Sequence, residues 1–413
     1  MVGTDAAGVH GLSGRWRAEL RRADLVAAPR RLLPELAAWL AAEAADPELL
    51  ASDQPAELLP RLRQALAAGQ RVILLASGDP LWFGLGRLLL QALPPECLRF
   101  HPAPTSLQLA FARLGRPWQD AAWVSLHGRA PEALATVLAK RPPALAVLPD
   151  PGRGGAAEVR AILRASGLEA AYAVWLAERL GHPAERMLRL EPGDPLPVDL
   201  DPLHLVLLVA QPPPPPDPER LPLFGIDDGL WLQHDDHPGL MTKRELRIQL
   251  LAELDLPATG VLWDLGAGVG SIGLEALRLR PGLRLWALDR RPGARALIEA
   301  NAARLAVNPA GVVEAAAPEG LLALPDPDRV LLGGGGRQRA ALLRAVLERL
   351  RPRGVVVIPL ATLEALAELR PLLEGGGLAV SVSQHQSWRG APLGEGTRLA
   401  PLNPVLVLTG RCP

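Results

Sequence analysis

A chain of 413 residues, 49% of them hydrophobic, has core enough for two or three ordinary domains and should be globular throughout. Its 44 basic and 44 acidic side chains cancel and no long run of one sign occurs, which disfavours a nucleic-acid partner. The longest apolar runs, such as LHLVLLVA at 203–210, fall short of the roughly 20 residues that span a bilayer, and no apolar signal region follows Met1, so a cytoplasmic protein with no membrane partner is expected. Cys97 and Cys412 have neither metal spacing nor a disulfide framework. Lys140 and Lys243 are the only lysines, in a background whose cations are otherwise arginine.

From the N-terminus, short β-type runs (RVILLAS, AAWVSL, ALAVLP, HLVLLVA) alternate with Ala/Leu/Arg segments of helical period, the pattern of an α/β domain. QPPPPPDPER, starting at Gln211, interrupts it: five successive prolines donate to no ladder and favour an extended, semi-rigid spacer. Residues 211–222 are therefore expected to be a linker between domains at 1–210 and 223–413. Beyond it a helix, MTKRELRIQLLAEL, precedes the strand candidates VLWDLG, LRLWALD, RVLLGG, GVVVIP and PVLVLTG, which read as a doubly wound sheet.

Within VLWDLGAGVGSIGLEALRLR the glycines form a turn between strand and helix, where backbone N–H groups meet a polar ligand closely. Read from Gly266 they give Gly266-x-Gly268-x-Gly270, a loop for S-adenosyl-L-methionine; read from Gly268 they give Gly268-x-Gly270-x-x-Gly273, the dinucleotide fingerprint. Asp289, closing LRLWALD, suits ribose hydroxyls in either case. Asp264 favours the methyl donor, since a carboxylate there would attract a sulfonium and an ammonium and repel a pyrophosphate. The helix ahead of the first strand points the same way, because a dinucleotide site usually opens its domain. Gly273 then belongs to the helix, where small size aids packing. The rivals are a purely structural glycine turn and an NAD-dependent reductase.

At residue level the chain resembles a known family. GIDDGLWLQHDDHPGLMTKRELR, WDLGAGVGSIGLEALRL, AAAPEGL, DRVLLGGGG and APLNPVLVLTG are similar to the C-terminal methyltransferase domain of the decarboxylating precorrin-6Y C5,15-methyltransferases of cobalamin biosynthesis. ADLVAAPRRL, LLASGDPLWFGLGRLL, PAPTSLQLAFARLGRPWQDAAWVSLHGR, LPDPGRGGAAEV and AERLGHPAERM are similar to its tetrapyrrole-methylase domain. The resemblance implies an α/β chain with an N-terminal tetrapyrrole-methylase domain and a C-terminal class I Rossmann-like, S-adenosyl-L-methionine-dependent methyltransferase domain. It also implies methylation of carbons 5 and 15 of precorrin-6B, an anionic tetrapyrrole, with loss of carbon dioxide from the carbon-12 acetate to give precorrin-8. Carbon 15 and the decarboxylation are associated with the C-terminal domain, carbon 5 with the N-terminal one. Homo-oligomers are implied, the tetramer among them.

The same resemblance places Thr242, Gly266, Ala267, Gly268, Val269, Gly270, Asp289 and the backbone at Ala317 around the donor of the C-terminal domain, where Asp264 is already expected from its charge. Ser77, Gly78, Asp79, Pro80, Thr105 and Ser106 line the donor site of the N-terminal one. Lys243 and Arg244 face the substrate or else solvent. Gly333 to Gly336 lets a flat ring approach, and Arg337, Arg389 and Arg398 are candidates for its acetate and propionate arms. His234 and His237, flanking two aspartates, fit no zinc spacing and are better read as candidate proton donors than as metal ligands; no metal is expected.

Two departures stand out. The family opens with a strand and a glycine-proline-glycine loop, whereas MVGTDAAG has only Met1 before Val2 and no proline, so either the start is truncated or this lobe has lost part of its site. Ala316 replaces an aspartate often seen at the adenine. The alternative reading is therefore a catalytic C-terminal half with an N-terminal binding module. For the whole chain the rival is an RNA or protein methyltransferase, which neutral charge and the fused tetrapyrrole-methylase half disfavour.

Overall fold

The computed structural model describes residues 1–413 except 83–84, 128–131, 235–238, 334–335 and 394–395 and the side chains of 337, 392 and 393. It divides into two compact units, one of residues 1–128, 143–156 and 174–209, the other of 129–142, 157–173 and 210–413. Among the described residues no helix is long and apolar enough to cross a membrane.

The first unit contains two sheets. Strands β1 (Val2–Thr4), β2 (Leu25–Ala28), β3 (Glu48–Ala51) and β4 (Val72–Ser77) run parallel in the order β1-β4-β2-β3. Successive β2 side chains enter opposite cores, as the strand period requires. Val26 and Ala28 join Leu20 of α1 (Gly14–Arg21) and Leu36 of α2 (Leu33–Ala42). Leu25 and Ala27 join Leu58 and Leu62 of α3 (Pro55–Ala67) and Leu89 of α4 (Gly86–Ala92). The second sheet is mixed, in the order β5-β6-β9-β7-β8, from β5 (Ala121–Ser125), β6 (Ala144–Leu148), β7 (Tyr172–Glu178), β8 (Arg186–Leu190) and β9 (His204–Ala210). Helix α5 (Ser106–Leu114) starts at a Thr105–Gln108 capping box and ends on left-handed Gly115.

The second unit is built on one seven-stranded sheet, β12-β11-β10-β13-β14-β18-β15. Its strands are β10 (Thr259–Leu265), β11 (Gly282–Asp289), β12 (Gly311–Glu314), β13 (Arg329–Leu332), β14 (Val355–Leu360), β15 (Ala379–His385) and β18 (Val405–Arg411). The first five in that order are parallel, while β18 lies antiparallel between β14 and β15. Leu262, Leu285, Leu331 and Val357 enter one core with Leu250 of α8 (Arg244–Glu253), Leu274 of α9 (Ser271–Leu279) and Ile298 of α10 (Ala294–Arg304). Trp263, Val330, Val356 and Leu408 enter the other with Leu343 of α11 (Arg339–Leu347) and Leu369 of α12 (Leu363–Gly375). This is the doubly wound, Rossmann-like arrangement expected from the strand list. The order reverses between β10 and β13, so a crevice opens at their carboxyl ends.

A separate hairpin of β16 (Trp388–Leu393) and β17 (Gly396–Pro401) is inserted before β18. The proline segment is held rather than free: the Pro214 carbonyl accepts from Arg304 at 2.9 Å, and the Pro222 carbonyl from Arg278 at 3.3 Å.

Gly273 shows how tightly the first turn of α9 is seated. A Cβ there would lie 2.8 Å from both Asp264 Oδ2 and Leu285 Cδ1, and both side chains are buried with little room to yield. On helix propensity alone Gly273→Ala would stabilise by up to about 1 kcal/mol. Overpacking reverses the sign, so a net loss of about 1–2 kcal/mol is expected in a denaturant titration.

Candidate active site

The loop between β10 and α9 carries the three glycines in left-handed conformation, Gly266 at φ 77°, Gly268 at 60° and Gly270 at 79°. A side chain would strain each of them. Gly273 has helical backbone, so the left-handed positions follow the register that starts at Gly266. Gly266 and Ala267 donate to the Leu288 carbonyl at 2.8 and 3.1 Å, and Gly333, beyond β13, donates to Leu265 at 2.7 Å. A Cβ on Gly333 would come within 3.3 Å of the Gly266 carbonyl, whereas one on Gly268 would meet only open space.

Two carboxylates flank this loop. Asp289, 6% exposed at the end of β11, accepts from Gly268 N–H at 2.7 Å through Oδ2 and from Arg291 N–H at 3.0 Å through Oδ1. Asp264, 2% exposed, accepts only from Gly273 N–H at 3.1 Å, and among the described residues no cation pairs with it. Burial pushes its carboxyl up to about 7, against the Gly273 hydrogen bond and with a smaller push from Asp289.

Thr242 and Lys243 precede α8, where Lys243 is the N-cap residue. The Lys243 ammonium donates to the Gly239 carbonyl at 3.1 Å; burial draws its pKa down and Asp228 opposes this. Arg247, fully buried one turn later, bonds Asp228 Oδ1 at 2.6 Å, Glu275 Oε1 at 3.0 Å and the Thr242 carbonyl at 2.8 Å. Thr242, Lys243, Asp264, Gly266, Ala267, Gly268, Val269, Arg291 and Gly333 all line one cleft of about 1,180 Å³, more than one small ligand needs.

The remaining C-terminal candidates separate. Gly270 and Asp289 shape the glycine loop, and Ala317 and the exposed Ala316 follow β12. Arg244 reaches away from the cleft to the Gly225 carbonyl at 2.5 Å. Arg389 is not free for a substrate arm as expected, because its guanidinium is already taken by Glu245 (2.7 Å) and Asp228 (2.9 Å). Arg398 lines the cleft from β17, paired with Glu132 at 2.9 Å. His234 is buried, with no partner for Nε2 among the described residues, and does not line the cleft. His237, Gly334, Gly335 and the side chain of Arg337 lie outside the described residues. Arg291 was missed from sequence: it lines the cleft half-buried, and among the described residues its side chain has no acidic partner. The signal available was its position two residues after Asp289.

Residues 232–410 match the family model described as "Precorrin methyltransferase domain", and residues 1–194 that of "Tetrapyrrole (Corrin/Porphyrin) Methylases". A precorrin-6Y C(5,15)-methyltransferase (decarboxylating) of Sinorhizobium sp is 32% identical over 338 residues, 82% of this chain and 79% of that one. One from Mycobacterium tuberculosis is 30% identical over 98% of this chain and 97% of its own. A cobalt-precorrin-6B C(15)-methyltransferase (decarboxylating) of Salmonella typhi is 32% identical over 44% of this chain and 93% of its own. The chain belongs to the decarboxylating precorrin-6Y C5,15-methyltransferases.

These are enzymes whose methyl donor is S-adenosyl-L-methionine. In the first unit of this precorrin-6Y methyltransferase family member, the two expected donor segments meet. Ser77, exposed at the end of β4, accepts from Arg31 at 2.7 Å; Gly78, at φ 64°, donates to the Thr4 carbonyl at 2.7 Å. A Cβ on Gly78 would lie 2.9 Å from Thr105 Cα, and one on Gly3 would lie 2.0 Å from the Gly78 carbonyl and 2.4 Å from Ala103 N. Asp79 accepts from Leu81 N–H at 2.9 Å, Pro80 is buried and Ser106 opens α5. The proline-free loop after β1 closes on itself, Thr4 Oγ1 donating to the Gly8 carbonyl at 2.6 Å.

The raised pKa of Asp264 has a measurable consequence. The folded state holds this proton above the ordinary carboxylate range, so its contribution to stability is full in acid and is lost as pH rises to about 7. In ligand-free protein, Asp264→Asn is expected to flatten the fall in unfolding free energy between about pH 5 and pH 8, measured by urea titration.

Proposed function

We propose that this chain methylates carbons 5 and 15 of precorrin-6B and removes carbon dioxide from the carbon-12 acetate to give precorrin-8 in cobalamin biosynthesis. In this reading residues 1–210 and 223–413 are separate catalytic domains joined by 211–222, in a cytoplasmic homo-oligomer. The C-terminal domain handles carbon 15 and the decarboxylation. The N-terminal domain handles carbon 5.

The observation that carries the C-terminal assignment is the buried carboxylate of Asp264 at a glycine cradle, with no counter-ion among the described residues. An ionised carboxylate without a partner is costly in a low-dielectric interior, and a cationic donor is the group that completes it. S-adenosyl-L-methionine supplies, when bound, a methyl group already activated by its sulfonium. Asp264 attracts its cationic end, the glycines of the loop from Gly266 to Gly270 let it approach the backbone closely, and Asp289 accepts from ribose hydroxyls while holding Gly268 in place. Thr242 and the backbone at Ala317 complete the set. Lys243 and Arg291 meet the carboxylate arms of the tetrapyrrole. Rate then comes from holding the ring carbon in line with the methyl group and from excluding water.

For the N-terminal domain, the meeting of Ser77–Pro80 with Thr105–Ser106 supports a second donor site. The full chain with precorrin-6B and isotopically labelled donor should transfer two methyl groups for each carbon dioxide released. One methyl per carbon dioxide would assign catalysis to the C-terminal half alone. Asp264→Asn should weaken S-adenosyl-L-methionine at the C-terminal site by about tenfold or more, and carbon-15 methylation should fall with it.

A further inference from the structure

The β16–β17 hairpin forms one wall of the cleft, and among the described residues its ladder joins Trp388–Leu393 to Gly396–Pro401 with no backbone pairing to the main sheet. A lone two-stranded ribbon is marginal by itself. Register puts Arg389 opposite Ala400 and Ala391 opposite Arg398, and all four line the cleft, whereas Trp388 and Leu399 are exposed. Side chains on the cleft face must therefore fix where this wall stands.

Arg389 makes the tie. Its Nε and Nη2 donate to the two oxygens of Glu245 at 2.7 Å each, and Nη2 also donates to Asp228 Oδ2 at 2.9 Å; Nη1 donates to the Ser166 carbonyl at 2.8 Å. Asp228 passes the connection on, its Oδ1 accepting from Arg247 at 2.6 Å and from Arg244 N–H at 3.0 Å. Arg247 in turn donates to the Thr242 carbonyl and to Glu275, whose other oxygen accepts from Gly225 N–H at 2.6 Å. One chain of charge-assisted bonds thus runs from the hairpin to Thr242, beside Lys243. Arg398 adds a second tie, to Glu132, but that one does not reach the donor-side segment.

We propose that the Arg389–Glu245 pair is a positioning latch: it sets the distance between the hairpin wall and the Thr242–Lys243 wall, and so the fit of the tetrapyrrole, without touching the reacting atoms. This rests on the cleft being a methyl-transfer site. Bidentate geometry matters, because a single point charge fixes distance less well than a planar fork.

The test uses full-length Arg389→Gln, Glu245→Gln and the double variant, with precorrin-6B turnover, S-adenosylhomocysteine affinity and Arg389→Lys as the conservative control. Each single variant should raise KM for precorrin-6B by about tenfold, with kcat and S-adenosylhomocysteine affinity within about twofold of wild type. The double variant should be no worse than either single, as expected when both changes break one interaction. Arg389→Lys, keeping charge without the fork, should fall between wild type and Arg389→Gln. A merely structural role would lower the active fraction, reducing kcat at unchanged KM, and that pattern overturns the latch, as do additive single effects. If wild type binds no S-adenosylhomocysteine at an Asp264-sensitive site, the reading of the cleft fails and the latch with it.

Discussion

Asp264 sits in the interior of the second unit with one backbone hydrogen bond and, among the described residues, no cation beside it. A carboxylate in this position favours protonation, which accounts for the upward pKa shift. It is held there by close packing. Asp264 lies between Ala287 and Leu331 in the parallel ladder, and Gly273 allows α9 to approach near enough for its N–H to reach the carboxylate. A larger residue at 273 would move either the helix or the charge. The fold therefore holds a buried carboxylate at the point where the strand order reverses, with the glycine loop beside it.

The second organising element is the buried ion network from Glu275 through Arg247 and Asp228 to Arg389 and Glu245. Networks of this kind seldom add net stability, because desolvation offsets most of the attraction. Their use is geometric. Here each carboxylate is shared between chain segments distant in sequence, so Gly225–Asp228, the start of α8, α9 and the hairpin are placed with respect to one another by bonds of fixed direction. The two elements do different jobs. In the proposed reading Asp264 answers the charge of the donor, and the network shapes the space where an anionic macrocycle would lie.

Much of this was legible in the sequence, and the parts that were not have physical reasons. Strands buried on both faces, such as VLWDLG and LRLWALD, read as continuous apolar runs with glycine punctuation, and the left-handed loop announced itself through Gly266, Gly268 and Gly270. β2, β3 and β7 did not, since Ala-rich stretches such as YAVWLAE lack a period that separates strand from helix. β15 and the hairpin are exposed and polar, with no apolar run to mark them. The family match was readable from long motifs, and the second unit's cofactor preference from Asp264. Arg389 went astray because sequence shows that an arginine is present but not that Glu245 and Asp228, far away in the chain, already occupy it. Arg291 was overlooked for the converse reason: it looks like any surface arginine, and only the fold shows it lining the cleft with no acidic partner among the described residues.

The central claim is that the donor's positive charge completes Asp264, and proton release on binding tests it most directly. Calorimetric titration of the full chain with S-adenosyl-L-methionine, in buffers of different ionisation enthalpy, should show about half a proton or more released near pH 6.5 relative to Asp264→Asn, with the difference shrinking towards zero above about pH 8, where the donor's own amino group titrates equally in both proteins. The same buffer dependence in the two proteins at both pH values, with both still taking up the donor, would contradict it.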